Sequence, residues 1–333
     1  MRGTAAEKRL RGRYLTTGNP FHHPAFDSWW HTLPGQPSIL EPFAGANGIP
    51  ALVRGAGYQA CWTSYDVEPL APSVHQRDTL ADFPTGHDVV VTNPPYLARH
   101  FARRKGLDVD HLPWGQYNNL YKVSLDRCLG AASHVAAIIP ESFLTSGLFL
   151  ARLTTVVSLT DRMFDDTEMP TCLALWGPSE TADFDVWRGL TLMGAYSRLA
   201  QALPDYPAEA TRIRFNVIDG KVGLRAVDNP AGPSIRFVPA VEIPAAKIKE
   251  SARLVSRISV ADLASGDVAT VLDTANARLA TYRANTQDVL LTAFKGVRAD
   301  GAFRRRIDFS TARALLAAGL HDATARPVEG ATP

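Results

Sequence analysis

The sequence predicts an α/β protein whose larger part is a parallel sheet covered by helices. Between about residues 38 and 176, short apolar runs alternate with segments of helical periodicity, which is typical of strands joined by crossover helices. The 333 residues are 46% hydrophobic and 20% charged. This is a globular composition, it excludes a disordered chain, and the length suggests two domains.

Five apolar runs are predicted to be strands of this sheet. Each is followed by residues that turn or break the chain. In chain order they cover residues 38–41, 58–66, 88–92, 134–139 and 171–176. The last of them is predicted to lie at an edge.

Two helices are predicted between these strands. Asn47 or Gly48 can cap a helix whose first turn accommodates Pro50, and the glycines of residues 55–57 can end it. Apolar residues recur at helical spacing over residues 117–132. One face of this second helix should therefore pack on the sheet.

The second half of the sequence has a different texture. Beyond about residue 200, short polar and apolar alternations are separated by Pro and Gly. Asp219-Gly220 follows one of these runs and predicts a β-hairpin. We therefore assign residues 11–200 to a first domain and residues 201–321 to a smaller mixed α/β domain.

Composition narrows the functional classes. No apolar run approaches the ~20 residues that span a bilayer, and the N-terminus lacks the apolar stretch of a secretory signal, so we predict a cytoplasmic protein without a membrane partner. Cys61, Cys128 and Cys172 are far apart in apolar surroundings and are predicted to be buried free thiols. His22-His23 lacks an acidic or cysteine partner at suitable spacing, and we predict no metal.

The net charge of +2 is unevenly distributed. Residues 201–333 hold 18 Lys and Arg against 14 Asp and Glu, a balance of +4, which leaves 17 against 19, or −2, for residues 1–200. This asymmetry fits a nucleic-acid surface and an ordinary solvated surface equally well.

Residues after the predicted strands suggest a ligand site, because open parallel sheets bind ligands beyond the carboxyl ends of their strands. Glu41 is followed by a turn of small residues, 42–48, which a ligand can approach closely. The turn is not the G-x-G-x-x-G motif of dinucleotide-binding proteins. An acidic residue disfavours a pyrophosphate but can accept hydrogen bonds from the ammonium of an amino-acid cofactor such as S-adenosylmethionine.

Two further carboxylates have suitable positions. Asp66 follows the second strand, where it can accept hydrogen bonds from both ribose hydroxyls of an adenosine moiety. A nicotinamide cofactor would satisfy it equally. Asp78 precedes the next strand and can accept a hydrogen bond from the amino group of an adenine. Taken singly, each carboxylate also fits a turn or capping residue.

The segment 88–96 carries the main functional prediction. An apolar strand delivers Asn93-Pro94-Pro95-Tyr96 at the same edge of the sheet, and two prolines cannot continue a central strand. The Asn93 side-chain oxygen and the Pro94 carbonyl are then acceptors on a rigid turn. Hydrogen bonds to both would pull an aromatic amine toward tetrahedral geometry as it attacks a sulfonium methyl group. Tyr96 would stack on a flipped base.

These residues resemble the amino-methylating DNA methyltransferases, whose motif is Asp/Asn/Ser-Pro-Pro-Tyr/Phe/Trp. The resemblance covers about residues 11–180 and implies a Rossmann-like class I S-adenosylmethionine-dependent sheet. In residues 11–17, Arg-Gly-Arg-Tyr-Leu-Thr-Thr is similar to the family's Gly-x-Tyr-x-Thr-Pro segment, with Thr17 in place of proline. The implied cofactor-binding residues are Tyr14, Thr16, Glu41, Phe43, Ala44, Gly45, Asp66, Asp78 and Asn93.

The order of these segments resembles the gamma arrangement of the family. Residues 138–144 and 164–167 look like later family segments near the target pocket. The resemblance implies an adenine-N6 methyltransferase that acts on double-stranded DNA, in restriction-modification or phage DNA protection, with a cognate restriction nuclease as a further partner. The second domain would recognise the DNA sequence. The basic residues Arg99, Arg103, Arg104 and Lys105 follow the motif and are predicted to contact phosphates.

Four alternatives stay open at this point. RNA-base and protein-glutamine methyltransferases also use Asn-Pro-Pro-Tyr or Asn-Pro-Pro-Phe, and cytosine is a further possible target amine. A non-catalytic DNA-binding subunit could retain the fold as a scaffold. Arg304-Arg305-Arg306 fits a base-contacting group and a surface cluster equally well.

Overall fold

The computed structural model describes residues 16, 18–161, 163–164 and 169–325, and it divides into two compact units between Ala195 and Tyr196. The first unit contains one nine-stranded sheet, and the second contains a four-stranded and a two-stranded sheet. The predicted α/β class with a smaller second part is confirmed. None of the helices described combines the length and the apolarity needed to cross a membrane.

The sheet of the first unit is mixed. Its strands are β1 (Ser38–Glu41), β2 (Cys61–Asp66), β3 (His75–Gln76), β4 (Val89–Thr92), β5 (His134–Pro140), β6 (Leu153–Ser158), β7 (Thr171–Trp176), β8 (Asp185–Arg188) and β9 (Thr191–Ala195). Their order is β3-β2-β1-β4-β5-β7-β6-β8-β9. Strands β1 to β5 are parallel, whereas β7 is antiparallel to both of its neighbours.

Burial explains why the central strands were predictable. All residues of β4 and β5 are buried, as are three of the four in β1, and strands covered on both faces have nearly continuous apolar sequences. Strand β2 begins at Cys61, later than predicted. The reason is that the N–H of Tyr58 still bonds to the Val53 carbonyl, in the last turn of the preceding helix.

The prediction that residues 171–176 form an edge strand is wrong. Strand β7 lies between β5 and β6, and all six of its residues are buried. The short strands β8 and β9, which the sequence did not reveal, extend the sheet beyond it. Their residues are mostly half-buried or exposed, so they lack the apolar run that marks a central strand.

The described residues of the first unit form four helices: α1 (Pro24–Trp30), α2 (Gly48–Gly55), α3 (Arg99–Arg104) and α4 (Leu120–Ala131). Single 3₁₀ turns occur at Pro20–His22 and Glu141–Phe143. Asn47 occupies the N-cap position of α2 in a left-handed conformation, but its side chain makes no capping hydrogen bond. In α4 the predicted apolar face is buried, including Tyr121, Leu125 and Cys128.

The second unit packs two long helices with a small antiparallel sheet. Its helices are α5 (Tyr196–Ala200), α6 (Pro207–Thr211), α7 (Val268–Thr286) and α8 (Phe309–Ala325). Its strands are β10 (Ile213–Phe215), β11 (Val222–Arg225), β12 (Arg236–Pro239), β13 (Val255–Val260), β14 (Thr292–Val297) and β15 (Phe303–Arg306). Three short 3₁₀ turns lie at Ala240–Glu242, Ala245–Lys247 and Ser265–Asp267. The Phe237 N–H of β12 donates to Asn276 Oδ1 of α7 and so fixes the sheet to this helix.

The hairpin predicted at Asp219-Gly220 is not formed. Strands β10 and β11 both pair with β13, which lies between them. The segment that joins them passes directly over β13, since a Cβ atom on Gly220 would lie 2.5 Å from the carbonyl carbon and oxygen of Ile258. The glycine therefore serves a close approach of two backbones.

The cysteine prediction is correct for two thiols and wrong for one. Cys128 and Cys172 are buried and free, and burial raises the pKa of both thiols. Cys61 is exposed. It is the first residue of β2, at the end of the strand remote from Asp66, where the sheet is only partly covered.

Substitution of two glycines by alanine is expected to change the stability of the protein in opposite directions. A Cβ atom on Gly319 in α8 would lie 2.7 Å from the backbone nitrogen of Ala275 in α7, so Gly319→Ala should lower the free energy of unfolding by about 1–3 kcal/mol. Gly130 in α4 has no atom within 4 Å of its added Cβ. Gly130→Ala should raise that free energy by up to about 1 kcal/mol. Urea unfolding measures both, and equal stability of the two variants would contradict the packing described.

Candidate active site

The candidate site lies where the direction of strand addition reverses. After β1 the chain adds β2 and β3 on one side, and it then adds β4 and β5 on the other side of β1. The carboxyl ends of β1 and β4 therefore border the crevice in which open α/β sheets bind ligands. Glu41 ends β1, and Asn93 directly follows β4.

Glu41 connects the two strand ends. Its side chain is fully buried, and Oε1 accepts hydrogen bonds from the Phe43 N–H (3.0 Å) and from the Thr92 hydroxyl (2.7 Å). Burial raises the pKa of Glu41 to about 8, although Thr92 and the backbone N–H groups of Phe43 and Asn93 lower it. Within the described part of the chain, Glu41 Oε2 is buried without a hydrogen-bond partner.

The turn after β1 is held against the end of β2. The Gly45 N–H donates to Asp66 Oδ2 (2.8 Å), and the Ala44 N–H donates to the Tyr65 carbonyl (2.8 Å). Gly45 has a φ of +51°, a left-handed conformation that glycine adopts without strain. Asp66 is buried, and its Oδ1 accepts from the Glu68 N–H (2.8 Å). The structure thus brings Ala44, Gly45 and Asp66 together.

Asp78 and Phe43 lie next to this turn. The Thr79 hydroxyl donates to the Pro42 carbonyl (2.8 Å), which ties residue 78 to the turn. Asp78 itself is exposed, and its Oδ1 accepts from the backbone N–H groups of Leu80 (3.0 Å) and Ala81 (3.2 Å). Phe43 is half-buried and packs against a hydrophobic cluster that includes Leu80.

The Asn-Pro-Pro-Tyr turn, residues 93–96, connects three parts of the first unit. Asn93 Nδ2 lies 3.0 Å from Thr16 Oγ1, which brings Thr16 to the carboxyl end of β4. Asn93 Oδ1 lies 2.7 Å from Tyr96 Oη, which is also 2.5 Å from the Ile138 carbonyl oxygen in β5. Pro94 is buried and Pro95 is half-buried. Tyr14 lies outside the described residues.

The ring of Tyr96 lies among other aromatic rings. It is 5% exposed, and its ring centroid lies 6.3 Å from that of Tyr121 and 6.0 Å from that of Phe164, both in edge-to-face geometry. Phe164 belongs to the segment 164–167 that was expected near the target pocket, and residues 165–167 lie outside the described residues. The site therefore contains a cluster of aromatic side chains directly beside Asn93.

The predicted phosphate-binding residues lie on and after α3. Arg103 donates to Asp110 (2.6 Å) and Arg99 lies 3.6 Å from the same carboxylate, so Asp110 offsets part of their charge. The hydrogen bond from Arg103 lowers the pKa of Asp110. Arg104 and Lys105 are exposed, and both lie over the ring of Phe101.

Three contributors to the site were not identified from the sequence. They are the Thr92 hydroxyl, the Ile138 carbonyl and the ring of Tyr121. Thr92 had a usable signal, since it is the polar residue that ends an otherwise apolar strand. The segment of Ile138 was expected near the target pocket, but the role of its carbonyl depends on the pairing of β4 with β5. The ring of Tyr121 depends on the packing of α4.

Glu41, Asp66 and the turn of small residues at 42–48 fit the methionine and adenosine parts of S-adenosylmethionine. No group among the described residues donates a hydrogen bond to the buried Glu41 Oε2, and a buried polar oxygen without a partner is costly. Asp66 and the small-residue turn lie beside it. His23 caps α1 through its side chain, burial lowers its pKa, and the described residues contain no group of three His, Cys, Asp or Glu that could hold a metal.

No protein-family model matches the sequence, and no curated protein is significantly similar to it. Among solved structures, a type I restriction-modification methyltransferase subunit from Streptococcus thermophilus is 17% identical over 54% of this chain and 48% of that one, with a TM-score of 0.40. The match thus spans about half the length of that subunit.

Two other solved structures are similar at the same level. A putative class I S-adenosylmethionine-dependent methyltransferase from Listeria monocytogenes is 12% identical over 52% of this chain and 65% of that one, with a TM-score of 0.38. A putative RNA methyltransferase from Pyrococcus horikoshii is 13% identical over 54% of this chain and 92% of that one, with a TM-score of 0.36.

Proposed function

We propose that this chain is an S-adenosylmethionine-dependent methyltransferase of the gamma arrangement that modifies the exocyclic N6 amine of adenine in double-stranded DNA. The observation that carries the proposal is the position of the turn at residues 93–96. It follows β4 at the switch point of the sheet and is hydrogen-bonded through Thr92 to the buried Glu41. An amine-binding turn and an ammonium-binding carboxylate are thereby adjacent.

The cofactor would be held by residues at the ends of β1 and β2. Glu41 Oε2 would accept from its ammonium, Asp66 from its ribose, and Asp78 from its adenine, while Phe43, Ala44 and Gly45 would contact it closely. Tyr14 and Thr16 belong to the segment that would close over it. When bound, S-adenosylmethionine supplies a methyl group made electrophilic by its sulfonium centre.

Asn93 and Pro94 would act on the target amine. The lone pair of an aromatic amine is delocalised into the ring, which makes the nitrogen a poor nucleophile. Hydrogen bonds from its two N–H groups to the Asn93 side-chain oxygen and the Pro94 carbonyl favour a tetrahedral nitrogen with a localised lone pair. They also stabilise the positive charge that develops during attack.

The target base must leave the DNA helix to reach this turn. A base inside a duplex is inaccessible, and flipping it costs stacking and pairing energy. The ring of Tyr96 would stack on the base and compensate for the lost stacking. In the structure this ring is 5% exposed and packs edge-to-face against Tyr121 and Phe164. Arg99, Arg103, Arg104 and Lys105 would contact the phosphates on either side.

The chain would then comprise a catalytic domain at residues 11–200 and a target-recognition domain at residues 201–321. A cognate restriction nuclease would be a partner in a restriction-modification system, and phage DNA protection is the other setting in which such methylation is useful. In either setting the second domain selects the sequence and the first modifies it.

Cofactor affinity should depend on pH through Glu41, whose pKa is raised to about 8. Below that pH Glu41 must lose a proton before it can accept from an ammonium, so the affinity of the wild type for S-adenosylmethionine should rise by about tenfold per unit between pH 6 and 7.5. Glu41→Gln has no carboxyl group to deprotonate at this position. It should bind S-adenosylmethionine weakly, with an affinity that does not rise with pH.

Isothermal titration calorimetry at pH 6.0, 6.75 and 7.5 measures the slope. Asp66→Asn is the matched control, since it should weaken binding at every pH while the affinity still rises with pH through Glu41. Because the charge of Asp66 helps to raise the pKa of Glu41, this rise should end at a lower pH than in the wild type. The same slope in Glu41→Gln would contradict the assignment of Glu41. The raised pKa also means that Glu41 favours the fold most at low pH, and that this contribution is lost as the pH rises from about 4.5 to 8.

The substrate class is tested by supplying tritiated S-adenosylmethionine with unmethylated duplex DNA, RNA or protein extract in separate reactions. Label in DNA supports the proposal. Label in RNA or protein would contradict the proposal and assign the chain an RNA or protein methyltransferase activity instead. Cofactor binding without label in any of the three would favour the scaffold role.

A further inference from the structure

The hydroxyl of Tyr96 is in contact with two oxygen atoms. Tyr96 Oη lies 2.5 Å from the Ile138 carbonyl oxygen and 2.7 Å from the atom of the Asn93 carboxamide that faces it. The other end of that carboxamide lies 3.0 Å from Thr16 Oγ1. Four polar groups thus form one chain, from Thr16 through Asn93 and Tyr96 to the backbone of β5.

The number of protons on each group determines which group donates in each of these hydrogen bonds. A phenol has a single proton, and a peptide carbonyl has none. Two oxygen atoms at 2.5 Å need a proton between them, so the Tyr96 hydroxyl donates to Ile138. The Asn93 atom assigned as Oδ1, 2.7 Å from Tyr96 Oη, must then be a donor. In a carboxamide the donor is the NH₂ group, so the true orientation is turned by 180° from that assignment. A carboxamide turned by 180° keeps its shape, so the site accommodates this orientation.

We propose that the Tyr96 hydroxyl is a positioning group that fixes the orientation of the Asn93 carboxamide. Tyr96 Oη accepts from the NH₂ group and itself donates to Ile138, while the Asn93 oxygen accepts from the Thr16 hydroxyl. An incoming N–H group replaces the Thr16 hydroxyl at this oxygen. The inference rests on the proposed function for its catalytic consequence only, since the orientation is a property of the protein alone.

This role differs from stacking on the target base. Stacking needs the ring of Tyr96, which phenylalanine retains, whereas positioning needs the hydroxyl, which phenylalanine lacks. Without the hydroxyl the carboxamide loses the hydrogen bond from its NH₂ group to Tyr96 that favours this orientation. The reversed orientation presents NH₂ to the target amine, and two donors repel each other.

The first test compares Tyr96→Phe with the wild type in steady-state methylation of unmethylated duplex DNA. The loss of one orienting hydrogen bond should lower kcat by roughly fivefold to tenfold and leave KM for DNA within about twofold. Thermal unfolding of both proteins checks that the variant is folded. An unchanged kcat would overturn the positioning role.

The second comparison repeats this substitution in an Asn93→Asp background. A carboxylate has two equivalent oxygens and needs no orientation, so Tyr96→Phe should lower kcat by less than about twofold there. An equal fall in both backgrounds would mean that the hydroxyl acts independently of the carboxamide, and this would overturn the inference.

Hydrogen exchange decides the question without turnover or substrate. In ¹⁵N-edited spectra the side-chain NH₂ of Asn93 is assigned by its loss in Asn93→Asp. It should exchange slowly in the wild type and at least tenfold faster in Tyr96→Phe, because its acceptor is gone. Unchanged exchange would overturn the inference even if the enzyme methylates DNA, and the predicted change would uphold the orientation even if it does not.

Discussion

Asn93→Ala is expected to lower the rate constant of methyl transfer by about 10²- to 10³-fold while the affinity for S-adenosylmethionine stays within a few fold. The removed oxygen is one of two acceptors that act on the target amine in the transition state, and the loss of one preorganised group of this kind typically has such an effect. Affinity should change little because Glu41 and Asp66 are untouched. Single-turnover methylation and calorimetric titration measure the two quantities.

Asn285→Ala is the matched control for this prediction. Asn285 is exposed on α7 in the second unit, so its removal should alter neither quantity. Turnover of Asn93→Ala within tenfold of the wild type would show that the carboxamide does not act on the amine. A large loss of cofactor affinity would instead assign Asn93 to donor binding.

Asp228→Asn is expected to lower the free energy of unfolding by about 2–4 kcal/mol, because it removes the buried carboxylate that Arg283 and Arg298 share. The two arginines keep Asp288 and Asp300 as countercharges. Asp228 is fully buried, and its carboxylate accepts from Arg283 (3.0 Å to each oxygen) and Arg298 (3.1 Å). It also accepts from the N–H groups of Ser234 (2.7 Å) and Ile235 (3.3 Å). This one side chain joins a loop, α7 and the β14–β15 sheet.

The charge of Asp228 is itself stabilised by these contacts. Burial acts to raise the pKa of Asp228, but the hydrogen bonds from Arg283 and Ser234 outweigh it and hold the pKa below the usual value. A carboxyl group of this kind favours the fold at pH values above its unfolded pKa, and this stability is lost as the pH falls through the folded pKa. Urea unfolding at pH 7 and pH 3 should show a smaller difference between the variant and the wild type at pH 3.

The control for Asp228 is Asp322→Asn on α8. Asp322 pairs with Arg278 through two hydrogen bonds, but both side chains are partly exposed, and such pairs contribute at most about 1 kcal/mol. Equal destabilisation by Asp228→Asn and Asp322→Asn would show that the buried Asp228 carboxylate does not contribute more to the stability of the second unit than an exposed ion pair.

The sequence predicted the central strands well because they are buried on both faces. Residues 38–41 and 134–139 form apolar runs that end in turns, and each became a strand with nearly the predicted bounds. Position across the sheet was not predictable in the same way. The run at residues 171–176 is equally apolar at an edge or in the interior, so its insertion between β5 and β6 depends on tertiary packing. The same holds for β13, which separates β10 from β11.

The site shows the same division. The positions of Glu41, Asp66 and Asn93 followed from their places directly after strands, since parallel strands end at one edge. The burial and the hydrogen bonds of these side chains could not be predicted from the sequence. The burial of Glu41 and the contact of Tyr96 with Ile138 arise from the register of β1, β4 and β5. Asp78 shows how far prediction from the sequence reaches. Its hydrogen bonds to the Leu80 and Ala81 N–H groups are those of an ordinary turn residue and do not by themselves indicate a ligand.

Identification of the modified nucleoside tests the central claim most directly. Unmethylated duplex DNA is incubated with S-adenosylmethionine and either the wild type or Asn93→Ala, digested to nucleosides and analysed by mass spectrometry. The account predicts N6-methyl-2′-deoxyadenosine with the wild type and a reduction of at least about a hundredfold with the variant. A methylated cytosine, or no methylated nucleoside from a protein that binds the cofactor, would contradict it.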